Sequence, residues 1–158
     1  AGFVGSNLAK NLVKNGANII GLTKNKKIDS LLFYEKIDKK INIIFGDITD
    51  KELLKSIFLK YDIEICFHLA AQVEVGSAVK YPFLTWETNV RGTYTLLEVI
   101  RENKKKIKSI IVASTDKVYG EYPIKQLPYK EQYLGVFFKT WIVVLILQIC
   151  VILYLNIY

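Results

Sequence analysis

The sequence has 158 residues, of which 51% are hydrophobic and 23% are charged, and its net charge is +7. This length and composition fit one globular domain and exclude a disordered chain. The lysines are spread over helix faces and loops without a basic stripe interleaved with aromatic residues, so nucleic acid is not an expected partner. The cysteines, Cys66 and Cys150, have neither metal-ligand spacing nor the pattern of a disulfide framework. We interpret Cys66 as a small buried hydrophobic residue.

Short apolar runs along the chain predict four strands, with the sequences ANIIGLT, INIIFGD, IEICFHLAA and IKSIIVA. The third run is apolar almost throughout, which is typical of a strand covered on both faces. Amphipathic segments separate the runs. Strands that alternate with helices at this spacing indicate βαβ units and a parallel sheet.

The helices are predicted from apolar residues that recur on one helical face. The first, SNLAKNLVKNG, is expected to end at Gly16. A short helix is expected near residues 30–36. The next, DKELLKSIFLKY, has Asp50 as its predicted N-cap. A polar loop and then a long helix over about residues 83–103 precede the last strand.

Two glycines three residues apart, Gly2 and Gly5, open the first helix. Such glycines let main-chain N–H groups approach a pyrophosphate, whose charge the helix dipole favours. Glycines that only let a helix pack closely give the same pattern. Asp47, at the end of the second predicted strand, is placed to receive an adenine amino group. Taken alone, Asp47 is better explained by an Asx turn that also caps the following helix.

Five segments in this order, AGFVGSNL, GDITD, FHLAAQ, ETNVRGTYTLLEVIR and STDKVYG, resemble the extended short-chain dehydrogenase/reductase family. Within that family they are similar to the nucleotide-sugar epimerases and 4,6-dehydratases. The resemblance covers residues 1 to about 134. It implies an α/β fold, a Rossmann-type doubly wound parallel sheet.

The resemblance also implies which residues hold the cofactor. His68 belongs to the family's HxAA segment, and we interpret it as a structural core histidine without a role in proton transfer. Asn89 matches the asparagine that steadies the active-site backbone. The implied cofactor-binding residues are Gly2, Phe3, Val4, Gly5, Asp47, Ile48, Leu69, Ala70, Ala71 and Asn89. No metal is expected.

The catalytic residues implied by the resemblance follow the last strand. Thr115 matches the hydroxyl member of the family's catalytic set, and Asp116 and Lys117 match a general acid and a general base. An Asp-Lys pair is similar to that of CDP-glucose and UDP-N-acetylglucosamine dehydratases, so 4,6-dehydration of a nucleotide-diphosphate sugar is favoured over 4-epimerisation. The structural alternative is that Asp116 caps a turn and Lys117 is solvated.

The expected cofactor is NAD, with NADP as the alternative. An acidic residue about 20 positions after the glycines would bind the ribose 2′-hydroxyl of NAD. Here the stretch GLTKNKK has no acidic residue before Asp29. Its lysines, of which Lys24 is the first, would accommodate a 2′-phosphate.

Several family features are missing from the sequence. No tyrosine has a lysine four positions later, so the Tyr-x-x-x-Lys pair is absent. We therefore expect residues 1–135 to be a partial NAD(P)-binding domain that lacks its first strand and its C-terminal substrate domain and is inactive alone. The intact enzyme is expected to be a cytoplasmic homodimer.

The tail, residues 136–158, has one charged residue, Lys139. Our favoured interpretation is a frameshifted or degenerate segment, because the family likeness ends abruptly near Gly135. A membrane anchor over residues 141–158 is the second, since eighteen uncharged residues reach the length of a span. A buried element of the fold is the third. An anchor would suit a tethered, non-catalytic dinucleotide-binding module, and a gene product without function is a further alternative.

Overall fold

The computed structural model describes residues 1–103 and 107–114, and residues 1–111 form one compact unit. Helices and strands alternate along it, as the apolar pattern predicts. The elements are α1 (Phe3–Lys14), β1 (Ile20–Thr23), α2 (Leu31–Tyr34), β2 (Asn42–Phe45), α3 (Lys51–Lys60), β3 (Ile65–His68), α4 (Val75–Lys80), α5 (Pro82–Trp86), α6 (Gly92–Glu102) and β4 (Ser109–Val112). A 3₁₀ turn spans Ile37–Lys40, and a π-helical turn spans Glu87–Arg91.

The strands pair in two sets. β1 and β2 are parallel, with Ile20 opposite Asn42 and Thr23 opposite Phe45. β3 pairs with β4. Among the described strands, β1 and β3 are not hydrogen-bonded neighbours, so these four strands form two two-stranded sheets.

The larger core cluster joins α3 to α6. It centres on Leu54, which is 2% exposed, and Val99, which is fully buried. Phe58, Leu96 and Ile100 complete its buried set, and residues from the strands pack against it. Cys66 of β3 is one of these and is half-buried; burial raises the pKa of its thiol to about 11, so the thiol stays protonated and inert.

A second cluster, built from Ala9, Leu32 and Ile37, lies between α1 and α2. Ile43 of β2 packs against this cluster, whereas Leu22 of β1 packs against the first. Leu22 is in register with Ile44, and neighbouring residues of a strand point to opposite faces. The two clusters therefore cover opposite faces of the β1–β2 pair, as in a doubly wound fold.

Burial along β3 differs from the sequence-based expectation. Ile65 is 50% exposed and Phe67 is 38% exposed, whereas Cys66 is half-buried and His68 is 5% exposed. The strand was predicted to be covered on both faces. Burial instead alternates, because the residues of β3 that pack into the α3–α6 cluster or against α6 all lie on one face.

The connection after β3 also differs. The predicted polar loop contains α4, whose first turn is capped by the Glu74 carboxylate accepting a hydrogen bond of 3.0 Å from the Ser77 N–H. The predicted long helix is one uninterrupted run of helical residues, but the π turn Glu87–Arg91 interrupts its regular pitch between α5 and α6. Within the residues described, no helix combines the length and apolarity needed to cross a bilayer.

Candidate functional site

The start of α1 lies beside the ends of two strands. The Ala1 ammonium donates a hydrogen bond of 3.5 Å to Thr23 Oγ1, at the end of β1. A Cβ built on Gly5 would lie 3.9 Å from Leu69 Cδ1, immediately after β3. The predicted glycine segment is therefore brought to the carboxyl ends of β1 and β3, which is where open α/β sheets bind ligands.

Gly2 is the N-cap of α1, and no side chain caps the helix there. The N–H groups of the first turn are thus left for another acceptor. A Cβ built on Gly2 would have no heavy atom within 4 Å. Phe3 and Val4 are 84% and 63% exposed, so both point away from the core. This free space beside uncapped N–H groups fits a phosphate-bearing ligand.

The carboxylate of Asp47 contacts two neighbouring residues, Thr49 and Lys24. Oδ1 accepts hydrogen bonds from the Thr49 N–H at 3.0 Å and the Thr49 hydroxyl at 2.9 Å, which makes an Asx turn. Oδ2 forms an ion pair of 2.7 Å with Lys24 Nζ. The Lys24 hydrogen bond and then the Thr49 N–H lower the pKa of Asp47 to about 2. The cap of the following helix is Asp50, as predicted, and not Asp47.

Close packing joins the loop after β2 to the long helix. A Cβ built on Gly92 would overlap the side chain of Ile48. Gly92 is buried at the first position of α6, directly after the π turn. Only a glycine lets Ile48 lie this close to the helix, so Ile48 serves as a spacer between the two segments.

The segment after β3 is held by Asn89. The Asn89 Oδ1 accepts a hydrogen bond of 2.7 Å from the Gln72 N–H, and its Nδ2 donates one of 3.0 Å to the Gln72 carbonyl oxygen. Leu69 is half-buried, and Ala70 and Ala71 are exposed. Asn89 therefore contacts the backbone at Gln72, and its role in an active site stays a prediction.

His68 is buried, and its Nε2 lies 2.8 Å from Thr93 Oγ1. Burial lowers the pKa of the imidazole, because the charged form would lose its hydration. A neutral histidine in a packed site agrees with the structural role predicted for it.

The predicted catalytic residues Thr115, Asp116 and Lys117 lie outside the described residues, which continue past β4 only to Ser114. In the described ranges, His, Cys, Asp and Glu side chains do not gather in any group of three that could hold a metal ion.

Sequence reasoning missed two partners of the candidate site. Lys24 was considered only for a 2′-phosphate, yet it pairs with Asp47. Thr93 carried no signal of its own, although it is four residues after Asn89 and therefore on the same helical face. That spacing was the available clue.

A family model described as GDP-mannose 4,6 dehydratase matches residues 1–134. CDP-paratose 2-epimerase from Salmonella typhi is 35% identical over 133 residues, which cover 82% of this chain and 38% of that protein. dTDP-D-glucose 4,6-dehydratase from Dictyostelium discoideum is 40% identical over 124 residues, covering 76% of this chain and 28% of that protein.

The chain is also similar to solved structures of nucleotide-sugar epimerases. UDP-glucose 4-epimerase from Brucella ovis in complex with NAD aligns with a TM-score of 0.77 and 26% identity, over 98% of this chain and 45% of that one. The chain therefore spans less than half the length of each of these relatives. Both dehydratases and epimerases are among them, so similarity alone does not separate the two activities.

Proposed function

The chain belongs to the family of NAD-dependent epimerases and dehydratases, and we propose that it is the NAD-binding part of a nucleotide-sugar 4,6-dehydratase. The observation that carries the proposal is the free space at Gly2, beside the uncapped N–H groups of α1 and the ends of β1 and β3. NAD, when bound, supplies the hydride acceptor and donor that oxidation at C4 and reduction at C6 of the sugar require.

Each part of the site has a proposed role in binding. The first-turn N–H groups of α1, from Phe3 to Gly5, would donate to the pyrophosphate. Asp47 and the Ile48 main chain would face the adenine. The adenine amino group would donate a hydrogen bond to the Asp47 carboxylate. An ionised carboxylate offers about four acceptor sites, and Thr49 and Lys24 do not occupy all of them.

The remaining predicted contacts concern the nicotinamide end. The main chain of Leu69, Ala70 and Ala71 would line the nicotinamide ribose, and Asn89 would keep that segment in place through Gln72. Ala70 and Ala71 are exposed residues, which leaves room for such a contact.

The proposed chemistry assigns Thr115 as the hydroxyl near the sugar C4, Asp116 as the acid that protonates the leaving hydroxyl, and Lys117 as the base that removes the C5 proton. Water is then eliminated across C5 and C6. Nucleotide-sugar 4-epimerisation is the second candidate, favoured by the similarity to UDP-glucose 4-epimerase. A domain of residues 1–135 would carry the cofactor in either case.

Calorimetric titration of the purified chain with NAD, and separately with NADP, tests the cofactor proposal. Saturable binding of NAD at one site per chain is expected, and no heat with either nucleotide would remove the proposal. Tighter binding of NADP would instead favour the lysines after β1, beginning at Lys24, as a 2′-phosphate site.

The two reactions are separated by mass spectrometry of nucleotide sugars incubated with NAD and the intact enzyme, since residues 1–135 are expected to be inactive alone. Dehydration removes one water, whereas epimerisation leaves the mass unchanged. Loss of water from a dTDP-, CDP-, GDP- or UDP-sugar supports the dehydratase. An unchanged mass with inversion at C4, read by nuclear magnetic resonance (NMR), supports the epimerase.

A homodimer remains a prediction. Several apolar side chains of α4 and α5 are more than 40% exposed, among them Val75, Val79, Phe83 and Trp86. Burying them against a second copy would remove apolar area from water. Light scattering of the intact enzyme during gel filtration is expected to give twice the mass of one subunit, and a monomer at every concentration would contradict the prediction.

A further inference from the structure

A series of hydrogen bonds runs from the end of β3 into α6. His68 Nε2 lies 2.8 Å from Thr93 Oγ1, and the same hydroxyl oxygen lies 2.6 Å from the Asn89 carbonyl oxygen. A carbonyl only accepts, and a hydroxyl has a single proton, so Thr93 donates to Asn89. His68 Nε2 must then carry the proton in its bond to Thr93. The direction of both bonds is therefore fixed.

Asn89 occupies an unusual backbone position. It is the central residue of the π turn Glu87–Arg91, and the Gly92 N–H bonds to the Glu87 carbonyl five residues earlier. Such a turn holds one residue more than an α-helical turn and is often found at functional sites. The Asn89 carbonyl accepts from Thr93, while its carboxamide makes both hydrogen bonds to Gln72.

We propose that His68 and Thr93 are positioning residues for the segment of residues 69–72, and that they act through Asn89. The Thr93 hydroxyl holds the Asn89 carbonyl oxygen in place, and this orients the Asn89 side chain. The carboxamide of that side chain then holds the Gln72 backbone in place through two hydrogen bonds. The coupling stands on geometry alone, whereas its consequence for NAD rests on the proposed function.

Burial of each member supports the role. His68 and Thr93 are each 5% exposed, so bulk water cannot replace a hydrogen-bond partner that the imidazole or the hydroxyl loses. Losing one partner would leave a buried polar atom without a hydrogen bond, which costs more than the bond contributes. Burial lowers the pKa of His68 and so favours the neutral imidazole. The hydrogen bonds of Thr93 then place the single ring proton on Nε2.

The test compares three variants of the full chain. Thr93→Val keeps the shape and removes the hydroxyl; Thr93→Ser restores it. Thr95→Val removes another buried hydroxyl two residues along α6 and serves as the matched control. Amide hydrogen exchange at Gln72 is the readout, because its N–H is donated to Asn89.

Thr93→Val is expected to speed exchange of the Gln72 N–H by about 2- to 10-fold, the effect of weakening about one hydrogen bond. Thr93→Ser should return the rate towards that of the parent, and Thr95→Val should leave it unchanged. Equal acceleration in Thr93→Val and Thr95→Val, or none in either, would overturn the coupling.

A second measurement needs no variant. The chain has one histidine, so its imidazole ¹⁵N spectrum is a single unambiguous pair of signals. The Nε2–H tautomer is expected, and the Nδ1–H tautomer would overturn the hydrogen-bond directions on which the proposal stands.

Affinity for NAD provides the functional arm. Thr93→Val should weaken binding about 10-fold and Thr93→Ser should restore it, since a displaced Gln72 shifts residues 69–71. If the parent chain binds no NAD while Gln72 exchange responds as expected, the proposed function fails and the coupling stands. If NAD binds but Gln72 does not respond, only the coupling fails.

Discussion

The free space at Gly2 gives a sharp prediction, because a side chain added there should disturb a ligand without disturbing the fold. Gly2 has φ −75° and ψ 173°, an extended conformation that any residue adopts. An added Cβ meets no heavy atom within 4 Å. Threonine is about as good an N-cap as glycine, so Gly2→Thr should change the free energy of unfolding by less than about 0.5 kcal/mol.

Affinity for NAD should respond very differently. The threonine side chain would fill the space next to the first-turn N–H groups of α1, and its hydroxyl would accept one of them. Removing one charge-assisted hydrogen bond to the pyrophosphate costs about 1.5–3 kcal/mol, which weakens binding about 10- to 150-fold. Calorimetric titration gives the dissociation constant, and thermal unfolding without ligand gives the stability.

Gly16→Ala is the matched control at the other end of the same helix. Gly16 has φ +79°, a left-handed conformation that is costly for alanine, although an added Cβ would again meet nothing within 4 Å. Alanine there should lower the free energy of unfolding by about 1 kcal/mol and leave NAD affinity unchanged. Wild-type affinity in Gly2→Thr, with Gly16→Ala behaving as expected, would refute pyrophosphate binding at α1.

Three further predictions concern stability and titration. Leu54→Ala should destabilise the fold by about 2–5 kcal/mol in urea unfolding, because the 2% exposed side chain fills the α3–α6 cluster; a loss below about 1 kcal/mol would contradict this packing. Lys24→Met should raise the pKa of Asp47 from about 2 towards its ordinary 3.8, read by ¹³C NMR of the carboxyl group. Because the Asp47 side chain is 35% exposed, the ion pair should contribute no more than about 1 kcal/mol, present above pH 3.8 and lost as the pH falls towards 2. Because the pKa of His68 is lower in the folded chain than in the unfolded one, the histidine is protonated at a higher pH in the unfolded chain. The free energy of unfolding should therefore be highest above pH 6.5 and fall as the pH drops below that value. Replacing His68 with glutamine should remove this decrease, and an identical decrease in the variant would assign it to another group.

The fold was predictable where one local signal sufficed. Apolar periodicity and the Asp50 cap located α3, and the cap is formed by a carboxylate oxygen 3.0 Å from the Leu53 N–H. Gly16 indicated the end of α1 and has the positive φ expected of such a residue. The π turn was not predictable, since one extra residue in a turn leaves the apolar pattern of a long helix almost unchanged.

The candidate site was predictable only in part, because its contacts join residues distant in sequence. Asp47 stood out by its position after a strand, but its pairing with Lys24 depends on how β1 and β2 lie side by side. Asn89 carried a family signal, whereas its partner Gln72 is fixed by the fold 17 residues away. The exposure of Ile65 and Phe67 likewise depends on which elements cover β3, which a single strand's sequence does not contain.

The ¹H–¹⁵N spectrum of the labelled chain during addition of NAD tests the cofactor site most directly. If NAD binds at this edge, saturable shifts are expected at the amides of residues 2–6, Thr23, residues 47–48 and residues 69–72. The amides of Lys60 and Tyr61, at the end of α3, should stay unchanged. Shifts centred on other segments, or none at saturating NAD, would contradict the assignment of this edge as the cofactor site.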